Sequence, residues 1–364
     1  MRSGLSLFST IIVSVASLVS CAPAAYASAP AMQNDVRLQG AGATFPNPLY
    51  QRWVSEFQKS NTSIKIDYQS IGSGGGIKAI TEKTVHFAGS DAPLSKKEIE
   101  ALGGASKIVQ IPSTAGAVVP AYNLPEVKET IKFSGEVIAE IYQGRISRWN
   151  DPKIAELNPG VALPDVGITP AWRSDGSGTT YVFTSYLATQ SESYKSTIGS
   201  GKQVSWPVGQ GGKGNEGVAA AVQSTKGALG YIELNYALAN KITFGEVKNL
   251  NGKFVKATPE SISAAGEGAV EVLKGNVLAA NIWNQPGDNS YPISGFSYII
   301  FFNDLGNAKS ADEAKAFVKF VQWCMTEGQD LAGTMDYAPL SSGVRAKVAE
   351  AIKGVTYKGE TLIK

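Results

Sequence analysis

Three short loops carry the residues best suited to chemistry, and each runs directly into a helix-forming stretch. The first is Gly40-Ala41-Gly42-Ala43-Thr44-Phe45, after which Asn47 is placed to cap and Pro48 to open a helix through Leu49, Trp53 and Phe57. The second is Gly72-Ser73-Gly74-Gly75-Gly76, ahead of Ile77 and Ile80. The third is Arg173-Ser174-Asp175-Gly176-Ser177-Gly178-Thr179, ahead of Phe183 and Leu187. A helix N-terminus presents N–H groups without internal partners and the positive end of the helix dipole, and glycines let a ligand approach the backbone. Each loop also supplies Ser or Thr hydroxyls, and Arg173 adds a forked, charged donor. Taken singly, each reads equally well as a capped turn. Together they are suited to converge on one oxyanion.

Other chemistries find less support. No stretch matches the phosphate-cradling G-x-x-x-x-G-K-[ST] loop: Gly212-Lys213 is followed by Gly214, and Ile77 stands where a glycine should precede Lys78. Gly209-x-Gly211-x-x-Gly214 matches a dinucleotide fingerprint, with Glu233 19 residues further on, but Trp206-Pro207 spoils the strand that should precede it. Ser73 and Ser177 lack the glycine two positions earlier that a nucleophile elbow uses. The single histidine, His86, alternates with apolar neighbours as a satisfied strand residue would. One histidine and two cysteines exclude most His/Cys metal sites, so neither metal nor cofactor is expected.

A formal net charge of +2 over 364 residues argues against a nucleic-acid binder driven by phosphate-backbone contacts. The apolar run Leu5 to Val19, with only Arg2 ahead of it, is too short for a comfortable membrane span and reads as a signal peptide. Two cleavage chemistries overlap behind it. Ala25-Tyr26-Ala27 gives ordinary release after residues 1–27, while Leu18-Val19-Ser20-Cys21 resembles a lipobox that removes residues 1–20 and lipidates Cys21. Either way an exported protein of the periplasm or cell envelope is expected. Cys324 then has no disulfide partner, and its place on one stripe with Phe317 and Val321, behind Ser310-x-x-Glu313, reads as a buried, inert thiol.

The length predicts two domains with a cleft between them. From Val36 onward short strands alternate with helices, an α/β pattern. Ile64, Ile66 and Tyr68 alternate with polar residues, Val85 to Ala88 is a short apolar run, and Pro112 to Gly116 reads as a boundary. Beyond it come a strand at Ala117–Tyr122, a helix around Val137–Tyr142, and strands at Ile168–Trp172 and Leu229–Glu233.

Several collinear motifs resemble a known family. They are Gly40-Ala-Gly-Ala-Thr-Phe-Pro46, Ile71-Gly-Ser-Gly-Gly-Gly76, Gly89-Ser-Asp-Ala-Pro-Leu94, Ile141-Tyr-Gln-Gly-Arg-Ile146 with Trp149-Asn-Asp151, Asp175-Gly-Ser-Gly-Thr179, Trp206-Pro-Val-Gly209 and Gly211-Gly-Lys-Gly-Asn215. They resemble the phosphate-binding proteins of the bacterial high-affinity Pst phosphate ABC transporter, from about Leu38 to the Asp336–Leu340 segment. The resemblance implies a periplasmic-binding-protein fold: two α/β lobes, 36–111 with 293–364 and 112–292, joined by two crossovers near Gln110–Pro112 and Tyr291–Ile293. It implies a monomer that holds inorganic phosphate in the interlobe cleft and delivers it to the membrane permease subunits, without catalysis. The implied phosphate ligands are Thr44, Phe45, Ser73 and Asp91 on one lobe and Arg173, Ser177, Gly178 and Thr179 on the other, with Asp175 orienting Arg173. Relatives often carry Val and a basic residue where this chain has Ala171-Trp172. The alternatives are a secreted phosphatase or hydrolase using Ser177, and a binder of sulfate or molybdate.

Overall fold

Apolar and polar residues alternate along the first strands, and the chain folds there into successive parallel strand–helix units. A computed structural model describes residues 35–363, so both expected leader cleavages, after 20 and after 27, lie outside the described residues. β1 (Val36–Gly42) leads into α1 (Asn47–Ser60), β2 (Ile64–Ser70) into α2 (Ser73–Thr81), and β3 (Phe87–Ser90) into α3 (Lys96–Ala101). In β2 the residues Ile64, Ile66 and Tyr68 are buried and Lys65, Asp67 and Gln69 exposed, as period-two patterning requires. The units β5 (Thr169–Arg173) with α5 (Gly178–Gln190), and β6 (Gln210–Gly212) with α6 (Gly214–Ser224), repeat the arrangement beyond β4 (Ile108–Tyr122) and α4 (Gly135–Tyr142).

With β7 (Ala228–Glu233), β8 (Thr243–Phe244) and β9 (Ser294–Phe302), these strands form one mixed sheet in the order β2-β1-β3-β9-β4-β7-β5-β6, β8 also pairing with β4. β4 ties the two groups together: Ile108 to Ala117 pair antiparallel with β9, and Val118 to Tyr122 pair antiparallel with β7. Aromatic residues pack on both groups, Tyr50, Trp53, Phe57 and Phe87 on one side and Tyr142, Phe183 and Tyr231 on the other.

Pro112 to Gly116, expected as a boundary loop, is instead the middle of β4, and all of β4 is buried. A proline fits there because the pairing with β9 slips by one residue: Thr114 faces Ser297, Pro112 faces Tyr298, and Ser113 is the extra residue of a bulge. The polar side chains are satisfied internally, Ser113 by Tyr50 and the Ser297 carbonyl.

Two smaller expectations are also revised. α1 starts at Asn47 with Pro46 at the cap position, and Asn47 accepts a hydrogen bond from Gln51 rather than capping the helix. His86 lies just ahead of β3, its Nδ1 accepting the Gln39 N–H at 3.0 Å and its Nε2 3.4 Å from Glu313. It is satisfied, as expected, but outside the strand. Cys324 ends α7 (Ala311–Cys324), fully buried, with burial pushing its thiol well above the ordinary range. Among the described residues no helix is long and apolar enough to cross a membrane.

Candidate functional site

Parallel strands all point their C-terminal ends one way, and the loops that leave those ends meet in the crevice where ligands of open α/β sheets bind. Here β1, β2, β3, β5 and β6 deliver the loops. Gly42, the last residue of β1, has φ 144°, and a Cβ there would lie 2.1 Å from the Gly89 carbonyl oxygen, so only glycine lets the chain turn so close to β3. The turn that follows buries Thr44 and Phe45. Among the described residues neither of their N–H groups has a protein acceptor. Buried N–H groups without partners are rare in folded proteins, and two in succession ahead of a helix are suited to hold an anion.

Ser73, the first residue of α2, and Asp91, the residue after β3, meet Gly178, the first residue of α5. Ser73 Oγ accepts the N–H groups of Gly178 at 3.0 Å and Asp91 at 3.2 Å. The Gly74 N–H donates to the Gly176 carbonyl at 2.8 Å, so the two strand groups touch here through backbone as well. Lys202 adds an ion pair to Glu98 on α3, while its carbonyl accepts the Ser177 N–H.

Arg173 ends β5 and is 3% exposed. Its Nε and Nη2 donate to the two oxygens of Asp175 at 2.8 and 2.6 Å, and its Nη1 donates to Thr179 Oγ1 at 3.2 Å. The two-pronged pairing fixes the plane of the guanidinium. Burial works against the charge on Asp175, but the bonds from Arg173 and from the Gly214 N–H outweigh it and hold its carboxyl below the usual range. Ser177 caps α5, its Oγ accepting the Thr180 N–H at 3.0 Å. All eight expected ligand residues are buried, but the Gly178 N–H, the one donor that residue has, is taken here by Ser73 Oγ. Trp172 points elsewhere, donating to the Val208 carbonyl and stacking on Trp206.

Three participants were not assigned from the sequence. Ser297 on β9 donates to Asp91 Oδ1 at 2.7 Å. Asn215, in the first turn of α6, contacts Thr44 and Thr179. Tyr231 accepts the Arg173 N–H at 3.0 Å and bonds Thr180. Asn215 stands in the Gly211–Asn215 motif and was legible there as a position without a role; nothing local marks the other two.

Burial pushes the Asp91 carboxyl up to about 7 against the lowering effects of Ser297, Arg173 and Ser73. The folded chain therefore keeps a proton on Asp91 that the unfolded chain releases near pH 4, so ionisation costs the fold stability across that window. Stability contributed by this group is full below pH 4 and falls as pH rises to about 7. Asp91→Asn removes the dependence: without ligand the variant melts several degrees above the wild type at pH 8, and the gap narrows toward pH 5. A gap of the same size at both pH values would contradict this placement of Asp91.

Ser177 Oγ serves as a cap, His86 is held between Gln39 and Glu313, and among the described residues no group of three His, Cys, Asp or Glu is placed to hold a metal.

This topology, with donors buried between its two strand groups, fits a solute-binding protein, and a model of the PBP superfamily domain matches residues 24–322. The phosphate-binding protein PstS of Pasteurella multocida is 43% identical over 313 residues, covering 85% of this chain and 88% of that one. PstS of Methanocaldococcus jannaschii is 38% identical, covering 80% and 79%. The chain belongs to the PstS family of phosphate-binding proteins, a family of transport components rather than enzymes. Among solved structures, the phosphate-binding protein from Stenotrophomonas maltophilia superposes with a TM-score of 0.66 at 20% identity, over 86% of this chain and 93% of that one. That likeness supports the fold.

Proposed function

We propose that this chain captures inorganic phosphate between its two strand groups and delivers it to the permease of an ABC transporter. The observation that carries this reading is the pair of buried, unpartnered N–H groups of Thr44 and Phe45, set beside Arg173 and four buried hydroxyls. The ligand set is Thr44, Phe45, Ser73 and Asp91 from the first group and Arg173, Ser177, Gly178 and Thr179 from the second, the Gly178 N–H exchanging Ser73 Oγ for the anion. The groups act as lobes, 36–111 with 293–364 and 112–292, joined by crossovers near Gln110–Pro112, within β4, and near Tyr291–Ile293, just ahead of β9, across which they open and close. The protein works outside the cytoplasm as a monomer, released after residue 27 or lipid-anchored through Cys21, and does not engage nucleic acid.

A ligand that binds only the folded chain raises its melting temperature with concentration. Phosphate at about a hundred times its dissociation constant adds about 2.7 kcal/mol of stability. Sulfate and molybdate at the same concentration leave the transition in place. An unchanged transition with phosphate, or an equal shift with sulfate, overturns the reading.

Arg173 contributes part of the binding, not all of it, because neutral N–H and O–H dipoles share the load. Hydrogen bonds to charged groups contribute about 1.5 to 3 kcal/mol, so Arg173→Ala weakens phosphate binding about tenfold to a few hundredfold. Complete loss of binding in a variant that still folds would show that the guanidinium carries the site alone.

A further inference from the structure

The side-chain amide of Asn215 can be oriented without ambiguity. Its Oδ1 lies 2.9 Å from the Glu233 N–H, and a backbone N–H only donates, so the atom facing it must be the oxygen. Nδ2 is then committed to the other side, where it donates to Thr44 Oγ1 at 2.7 Å and to Thr179 Oγ1 at 3.1 Å. One of these hydroxyls comes from each strand group. Asn215 and Thr179 are fully buried, and Thr44 is nearly so.

A hydroxyl has two lone pairs and one proton. Thr44 Oγ1 receives a second N–H, from the Asn215 backbone at 3.2 Å, and Thr179 Oγ1 receives Arg173 Nη1 at 3.2 Å. Both hydroxyls therefore accept two bonds each. Their remaining capacity is to donate, and among the described residues no acceptor takes either proton.

We propose that Asn215 is a positioning residue that, by occupying lone pairs of Thr44 and Thr179, makes both hydroxyls obligate donors toward the bound anion. The proposal rests on the phosphate reading above. It assigns a division of labour within the site: the oxygens of phosphate that only accept lie against Thr44 and Thr179, and the oxygen that carries a proton is left for Asp91. Without Asn215 either hydroxyl can turn and present a lone pair to an anionic oxygen, which repels it.

Asn215→Asp and Asn215→Ala separate this role from a packing role. The aspartate is nearly isosteric, so it disturbs packing less, but its oxygens accept the two Thr protons and bring a negative charge beside the anion. The alanine leaves a small hole and frees the hydroxyls to rotate. Phosphate titrations at pH 8 should separate the two variants, with melting temperatures measured without ligand confirming that each folds. Asn215→Asp loses about a hundredfold or more in affinity and Asn215→Ala about ten- to thirtyfold. Asn215→Asp binding as tightly as Asn215→Ala, or either variant within threefold of wild type, overturns the proposal while leaving phosphate binding intact. If Asn215→Ala does not fold, Asn215→Asp decides alone, and a loss of less than tenfold overturns it. No phosphate binding by the wild type overturns the functional reading, and this proposal with it.

Discussion

Gly178→Ala weakens phosphate binding at least about a hundredfold while leaving the melting temperature measured without ligand near that of the wild type. Gly178 opens α5, and its N–H donates to Ser73 on the facing group. A Cβ at this position would lie 2.5 Å from Asp91 Oδ2 and 2.6 Å from both the Asp91 backbone nitrogen and its Cβ. Backbone atoms at that distance do not yield as the tip of a flexible side chain does, so the methyl group must hold the two groups apart. Its own backbone is not left-handed, and alanine is a good residue at a helix start, so the helix itself does not suffer. A wedge between the groups deprives the anion of the bonds from one side. With each such bond contributing about 1.5 to 3 kcal/mol, losing two of them accounts for the expected factor. Binding within tenfold of wild type would mean that the two groups need not meet at Gly178 for phosphate to be held.

Asp91→Asn retains phosphate binding but cuts the preference for phosphate over sulfate by about a hundredfold at pH 8. Near neutral pH phosphate keeps at least one proton and sulfate none. An ionised Asp91 accepts phosphate's proton in a charge-assisted bond, whereas against sulfate it presents an unpaired like charge, which costs several kcal/mol. Asparagine donates to either anion. Burial raises the carboxyl to about 7, which adds a pH dependence that the sequence does not convey. Below that value Asp91 carries a proton and donates to sulfate, so the wild-type preference shrinks toward pH 5 and grows toward pH 8. In Asp91→Asn it stays flat. A sulfate-to-phosphate ratio of dissociation constants unchanged by Asp91→Asn would place selectivity elsewhere, and a wild-type ratio constant between pH 5 and pH 8 would show that Asp91 does not titrate in the bound protein.

The three anion-competent loops were legible because glycine, N-cap hydroxyls and arginine are local requirements of backbone geometry and charge. The same holds for β2, whose period-two pattern follows from one buried and one exposed face. Long-range pairing was not legible. Ser297 meets Asp91 across 206 residues, and no periodicity marks a lone serine in an apolar strand as the partner of a carboxylate. Pro112 misled for a related reason: proline and hydroxyl residues ordinarily break a strand, and only the bulge opposite Ser297 and Tyr298, with partners from α1 and β9, lets them sit inside one. Asn215 was visible as part of a motif, but its role depends on a backbone N–H at Glu233 that fixes which way its amide points.

The central claim is that one inorganic phosphate is held between the two strand groups by donors from both. Titration calorimetry of the protein lacking residues 1–27, with phosphate alone and then with phosphate in the presence of excess sulfate, tests it most directly. The expected result is one phosphate per chain with an affinity that sulfate does not change. No heat of binding with phosphate, or a phosphate affinity that falls in proportion to added sulfate, would contradict it.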